Sequence, residues 1–467
     1  MSVIHYKLGS TSFTQRRVDS HMADIGPRQP GPNNTNIPGH DAGSTSRSKL
    51  LSWVMFDWAN SAFSTVILTF VFSAYFTRQV APDAITGTRL WGLTLGLGAL
   101  LTAVLGPLLG AATDQTGRRK SWLLGFTLTC ITATALLWTV YPSQDNVWRA
   151  LVLVGMGALA MDLVMVFYNA TLKDLAPSEK IGRWSGWGWA TGYAGGLLCL
   201  IIVLVFFIEG STRLLPFDTA SAQALRASFI FVALWFGLFS LPFFLVVGDN
   251  NPTRKTLARG LADGCHQLRQ TLRDIRHYRH ILRFLIARMF YVDGLATLFA
   301  FGGVYAVGTF GMDERQVLLF GIYLNISAGI GALAFSWIDD WIGSQRTIVF
   351  SLACLILSSV TILMATSTRM FWVAGFFLGL LVGPVQAASR SYLTRVAPAQ
   401  LENQMFGLYA FSGKATAFLG PALVAWITTA TGSQRLGLST VVVLFLIGFL
   451  LMLSVPPANR MEQDGQR

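Results

Sequence analysis

Asp114-Gln115-Thr116-Gly117-Arg118-Arg119-Lys120 and Asp340-Trp341-Ile342-Gly343-Ser344-Gln345-Arg346 share one pattern: an acidic residue, a glycine three positions on, and a basic residue three beyond that. They stand 226 residues apart. A second pair keeps almost the same offset, 221 residues. It consists of Leu172-Lys173-Asp174-Leu175-Ala176-Pro177 with Gly186 nine residues beyond, and Leu393-Thr394-Arg395-Val396-Ala397-Pro398 with Gly407 nine beyond. Two motif pairs at nearly equal spacing mean that one unit of roughly half the chain occurs twice in parallel.

The surroundings of these motifs say what the repeated unit is. Of 467 residues 53% are hydrophobic and only 12% charged, where a soluble chain carries about twice that charge. The 45 Gly, 33 Phe and 14 Trp suit helices packed in lipid. Apolar stretches at 51–76, 90–112, 121–141, 148–170, 184–208 and 228–247 each exceed or approach the roughly 20 residues a helix needs to cross a bilayer. Six more lie at 282–308, 316–338, 347–366, 370–392, 404–429 and 435–455. The expected fold class is an all-α polytopic membrane protein, twelve transmembrane helices in two six-helix repeats. Residues 1–49 read as a disordered cytoplasmic tail rich in Ser, Thr, Pro, Gly and Asn, without the apolar core of a secretory signal. Residues 50–248 form the first bundle, 249–280 a basic cytoplasmic linker, 281–456 the second bundle and 457–467 a second tail.

The net charge of +12 is an orientation signal, and nucleic acid is not an expected partner. Of the 35 Lys and Arg, 25 fall on the side that holds both termini and 8 on the other, which places both termini in the cytoplasm. Cys130, Cys199, Cys265 and Cys354 are scattered without a CxxC pair, so neither a disulfide framework nor a metal site is expected. Gly413-Lys414 lacks the Ser/Thr and upstream Gly of a phosphate loop, and His277-Tyr278-Arg279-His280 reads as a solvated basic loop. No HExxH, GxSxG or GxGD sequence is present, so the chain is not expected to be an enzyme, and no cofactor is implied. Two alternating bundles point to a transporter; an intramembrane enzyme or a non-transporting sensor is the competing class.

Candidate functional residues are the ionisable groups inside apolar runs: Asp57, Asp162, Arg288, Asp293 and Lys414. Each costs about 2.5–3.5 kcal/mol at mid-bilayer, so together they belong in a wet interior or in pairs. Asp57, Asn60, Ser61 and Ser64 make one polar helix stripe in span one. Asp293 and Lys414 both lie about 15 Å deep by helical rise, which makes them an expected ion pair. Asp162 aligns with Asn169 at i+7, and Gln386 with Ser389 and Arg390 at i+3 and i+4. The substrate and proton pathway is therefore expected at Asp57, Asn60, Ser61, Asp162, Asp293, Gln386 and Lys414. The repeated loops, with Asp114, Gly117, Arg118, Arg119, Asp340, Gly343 and Arg346, and Arg390 nearby, are expected to be cytoplasmic gates, Asp114 meeting the positive end of span eleven. Arg288 is expected to reach the interface with its long side chain. Gly188, Gly192 and Gly196 form a stripe for close helix packing, and Trp184 and Trp187 read as interfacial aromatics.

The stretch Gly106-Pro-Leu-Leu-Gly110-Ala-Ala-Thr-Asp114-Gln-Thr-Gly117-Arg-Arg-Lys120 resembles the loop signature of the major facilitator superfamily. Five further stretches resemble its vacuole-effluxer branch: Phe56-Asp57-Trp58-Ala59-Asn60-Ser61-Ala62-Phe63, Ser185-Gly186-Trp187-Gly188-Trp189-Ala190, Phe299-Ala300-Phe301-Gly302-Gly303-Val304-Tyr305, Gln386-Ala387-Ala388-Ser389-Arg390-Ser391 and Phe411-Ser412-Gly413-Lys414-Ala415-Thr416-Ala417-Phe418. The likeness runs from about residue 50 to 455 and is similar to the yeast vacuolar amino-acid exporter and its bacterial relatives. The chain departs from the superfamily pattern at Gln115, usually basic, at Asp162, where span four often carries an arginine, and in span five, which lacks the antiporter proline. The resemblance implies amino-acid efflux by alternating access, with protons as coupling ion and a bacterial inner membrane as location. A sugar or organic anion is the alternative substrate. The expected partners are thus a small solute, protons and the lipid bilayer, with no obligate protein partner.

Overall fold

The computed structural model describes residues 47–209, 221–249, 257–273 and 278–458. Among these residues there is no strand, and twelve helices are long and apolar enough to cross a membrane. Spans one to six are Arg47–Val80, Ala84–Thr116, Arg119–Thr139, Gln144–Leu175, Ser178–Ile208 and Gln223–Val246. Spans seven to twelve are Arg279–Phe310, Arg315–Ile342, Ser344–Met364, Thr368–Val396, Glu402–Thr431 and Gln434–Leu453. The two terminal tails fall almost wholly outside the described residues, as do His277 and parts of the linker.

Local chemistry ends and starts these helices. The side chain of Asp83 accepts hydrogen bonds from the Thr86 and Ile85 amides at 2.9 Å, opening span two. Those N–H groups, Thr86 first, hold its carboxyl below the usual carboxylate range. Asp313 and Gln316 close a reciprocal capping box at the start of span eight. The motif glycines have a backbone reason: Gly117 (φ 65°) ends span two and Gly343 (φ 91°) links spans eight and nine. A side chain at either would strain this left-handed turn, which is why each repeated motif carries glycine there.

Three features differ from the sequence expectation. Span one extends to Val80, and its later part, Phe63–Phe70 and Phe76–Val80, is wound into wider π turns. Span eleven is interrupted: helix Glu402–Lys414 and helix Leu419–Thr431 are joined by three-residue turns, Ala417 N to Lys414 O at 3.3 Å and Leu419 N to Thr416 O at 2.8 Å. The linker, expected only as a basic connection, contains a helix, Leu257–Arg273. Its Gly264 backbone lies so close to span two that a Cβ would sit 2.6 Å from Ala112 N, and Gly260 is blocked by the Thr116 methyl. A periodic Leu257, Leu261, Leu268 pattern was present in the sequence, but a 17-residue amphipathic stretch is too short to register as a membrane span.

The two repeats meet at the end where the linker helix lies, here termed the linker face. Span two packs along span eleven, and span five along span eight. At Gly110 a Cβ would lie 2.7 Å from the Asn403 carbonyl carbon, and at Gly106 3.4 Å from Gly407 O. Gly182 backs onto the Asp339 and Asp340 carboxylates, and a Cβ at Gly186 would lie 2.6 Å from Ala332 O. Farther along span two, Gly92, Gly96 and Gly98 face nothing within 4 Å. Closure along span two is therefore confined to the linker face.

Candidate functional site

Three polar layers join the repeats. The outermost, at the linker face, is built by crossed capping. Asp114, at the end of span two, accepts from Asn403 N at 3.0 Å and Gln404 N at 2.9 Å, the first free amides of span eleven. Asp340, its repeat counterpart in span eight, accepts from Arg183 N at 3.1 Å at the start of span five. Each carboxylate thus satisfies amide donors that a helix cannot bond itself, at the positive end of the helix dipole. Because each Asp caps a helix of the other repeat, the bonds exist only while the linker face is closed.

Arginines reinforce this layer. Arg119 reaches Ala170 O at 3.1 Å, Asp174 at 2.5 Å and, across the boundary, Glu402 at 2.9 Å. Arg395 holds Asp340 at 2.9 Å and Asp339 at 3.4 Å. Two expected gate residues take no part: Arg118 and Arg346 are exposed. The corresponding positive charge of the second repeat comes from Arg395, one span away from the motif. Sequence spacing could not show this, because the motif gives a residue's position along the chain and not the direction of its side chain.

Deeper lies a buried ion pair that the sequence reading did not connect. Arg390 of span ten donates to Asp57 Oδ2 of span one at 3.0 Å, both side chains being under 10% exposed. The same guanidinium donates to Asn169 Oδ1 at 3.2 Å, Ser185 Oγ at 3.0 Å and Ser185 O at 2.7 Å, and lies 4.7 Å from the Trp53 ring centroid. Gly188 makes room for it: a Cβ there would lie 2.8 Å from Arg390 Nη2 and collide with Asp57. Four bonds and a ring face offset the desolvation of the charge. The rest of the span-one stripe bonds within its own helix. Asn60 donates to Phe56 O at 2.9 Å, and Ser61 to Asp57 O at 2.8 Å beside Gly192. Ser64 is exposed.

The expected Asp293–Lys414 pair is not formed. Lys414 Nζ instead bonds Asp162 Oδ2 at 2.9 Å, linking span eleven to span four, and Thr102 Oγ1 of span two donates to the same carboxylate at 3.1 Å. Matched depth suited either acid; the turn after Lys414 sends its side chain across the boundary between repeats. Asp162 and Asn169, although aligned, go to different layers. Asp293 stays within the second repeat and accepts from Gly420 N at 3.1 Å. Arg288 is likewise internal, not at the interface: it bonds Tyr409 O at 2.7 Å and Ser412 Oγ at 2.8 Å. Gln386 donates to Tyr193 Oη at 3.4 Å across the repeats, while Ser389 bonds Tyr291 at 2.7 Å. Trp184 and Trp187 pack on each other, and Trp187 on Trp337 of span eight, with centroids 5.5 and 6.1 Å apart.

Burial separates the two ion pairs. Lys414 and Asp162 keep 35% and 26% of their side-chain surface accessible, yet both sit near the middle of their spans. A charge half-way through a bilayer cannot face lipid at that exposure. The accessible part of the pair therefore lies inside the protein, where spans two, four and eleven meet.

A profile of the vacuole effluxer Atg22-like family matches residues 173–465. An uncharacterized MFS-type transporter of Bacillus subtilis, YxiO, is 28% identical over 420 residues, 89% of this chain and 96% of its own length. Autophagy-related protein 22-1 of Aspergillus niger is 27% identical over 319 residues, 63% of this chain but 50% of its own. The chain thus spans about half the length of the fungal relatives it matches. In fold it is similar to a solved variant of the E. coli fucose:proton symporter, with a TM-score of 0.68 over 88% of this chain and 98% of that one, at 12% identity.

Proposed function

We propose, from the premise that the chain belongs to the vacuole effluxer Atg22-like family within the major facilitator superfamily, that it exports zwitterionic amino acids by alternating access. That it is an integral, multi-pass transporter of small solutes rather than an enzyme follows from family and fold. The observation that carries the substrate class is the partly accessible Asp162–Lys414 pair bridging the repeats at mid-depth. An amino acid brings one charge of each sign. Its carboxylate takes the place of Asp162 beside Lys414, and its ammonium the place of Lys414 beside Asp162, so both charges stay compensated as the bridge opens. A neutral sugar would leave both unpaired.

Orientation follows the distribution of Lys and Arg: the linker face is taken as cytoplasmic and the membrane as the bacterial inner membrane. The closed linker face then makes this the outward-open state, from which exported solute leaves. Release lets Asp162 and Lys414 pair again. A proton taken up by Asp162 from outside would free Lys414, which gives a pH gradient a grip on the cycle. The crossed caps of Asp114 and Asp340, the Arg119–Glu402 bridge and the Asp57–Arg390 pair must all break when the linker face opens, whereas Arg395 keeps its partners within the second repeat.

Proteoliposomes preloaded with mixed amino acids test this. Counterflow of labelled amino acid is expected for the wild type and is expected to be lost in Asp162→Asn and Lys414→Met. Counterflow at the wild-type rate in both variants would remove the pair from the binding site. Uptake of a neutral sugar unaffected by either change would favour the alternative substrate class.

A further inference from the structure

We propose that Asp293 and Thr297 of span seven, facing the break in span eleven, form a binding site for a monovalent cation, sodium. Asp293 is 1% exposed and Thr297 fully buried. Asp293 Oδ2 is used by Gly420 N at 3.1 Å, but Oδ1 has no hydrogen-bond partner, and neither has Thr297 Oγ1. These two orphaned oxygens, one helical turn apart, converge on the same small volume in front of Gly420. A Cβ on Gly420 would collide with Thr297 Oγ1 and lie 3.1 Å from Asp293 Oδ1. Glycine keeps that volume free.

The remaining walls are apolar. Leu444 and Phe445 of span twelve close over Gly420 and Gly294. Among the described residues Asp293 forms no ion pair: Lys414 is held by Asp162, and Arg288 by Tyr409 and Ser412. A lone buried carboxylate is costly, so its charge must be neutralised. A proton on Oδ1 would also neutralise it, so a cation competes with a proton for this oxygen. A cation held between the two oxygens satisfies both at once. One carboxylate balances one positive charge, which selects a monovalent ion. Hydroxyl and carboxylate oxygens are the ligands a hard cation takes. Gly420 N, in the first turn of the second half-helix, already holds Oδ2, so Oδ1 is the oxygen left for the ion.

The position also links ion to substrate. Lys414 ends the first half-helix and Gly420 lies in the first turn of the second. An ion that fixes Asp293 against Gly420 therefore fixes the turn that aims Lys414 at Asp162. This extension to coupling rests on the transport reading above; binding of the ion does not.

Thermal unfolding of the purified full chain, at constant pH and ionic strength, tests the site without substrate. Sodium chloride, exchanged stepwise for choline chloride, is expected to raise Tm saturably, and potassium chloride much less. Equilibrium binding of radioactive sodium to the same sample gives a second readout. Asp293→Asn and Thr297→Val are expected to lose the shift and the binding, Thr297→Ser to keep both, and Asp162→Asn to keep both even if transport is lost. No sodium-specific shift or binding in the wild type would overturn the proposal, as would an Asp293→Asn variant that binds sodium like the wild type. Sodium binding with no amino-acid transport would instead fault the transport reading alone.

Discussion

Asp57–Arg390 and Asp162–Lys414 are both ion pairs between repeats, and their different burial predicts different consequences. Arg390 is 2% exposed in its side chain, so Arg390→Met strands Asp57 and is expected to cost about 3–5 kcal/mol of stability. Arg390→Lys should recover only part, because an ammonium cannot serve Asp57, Asn169 and Ser185 with one planar fork. Lys414 is 35% exposed, so solvent screening leaves its pair worth at most about 1 kcal/mol. Lys414→Met should therefore keep a near-wild-type Tm while transport is lost. Thermal unfolding and flux measured on the same preparations separate the cases. A large drop in Tm for Lys414→Met would show that its pair is a strut rather than a binding group.

At the scale of elements, closure depends on how nearly helices two and eleven can touch. Gly110 abuts the backbone of Asn403 and Gln404, so Gly110→Leu must push the two helices apart. We expect a cysteine replacing Asn403 to become reactive toward soluble thiol reagents in that variant and to be protected without it. Gly125 has no atom within 4 Å, so Gly125→Leu should leave protection unchanged. The linker helix adds a strap across the same seam. Gln267 accepts from Gln115 of span two and donates to Gln404 of span eleven at 3.0 Å. Gln267→Ala is expected to raise reactivity at position 403 less than Gly110→Leu does, since it removes bonds without inserting volume. Unchanged reactivity in both variants would mean that these contacts do not hold the linker face shut.

For the whole molecule, the twelve spans impose a strict alternation of sides. Arg346 and Arg369 are both exposed and stand at opposite ends of spans nine and ten. Cys265, exposed on the linker helix, must first become Ser. In that background an impermeant thiol reagent added to intact cells is expected to label Arg369→Cys and to leave Arg346→Cys untouched until the cells are opened. The reverse pattern would invert the proposed orientation, and with it the identification of the open face as external. Labelling of both positions in intact cells would contradict the twelve-span alternation itself.

Composition and periodicity determined the fold by themselves: an apolar run of membrane length has no other stable solution than a helix, because lipid offers its backbone no hydrogen bonds. The repeated Asp-x2-Gly-x2-basic loops further marked the two six-helix units; the positive φ that Gly117 and Gly343 adopt was visible only in the structure. Cost arguments likewise picked out Asp57, Asp162, Asp293 and Lys414 as interior residues. Which acid meets which base was settled only in three dimensions. Depth along a helix is a one-dimensional coordinate, and Asp162 and Asp293 both satisfied it for Lys414. The turn at Lys414–Phe418 and the packing of span eleven on span two chose Asp162. Arg395 displaced Arg346, and the Gln115–Gln267–Gln404 ladder arose, for the same reason: a side chain's partner depends on the azimuth of its helix against a neighbour distant in sequence, and residue spacing carries no record of that angle.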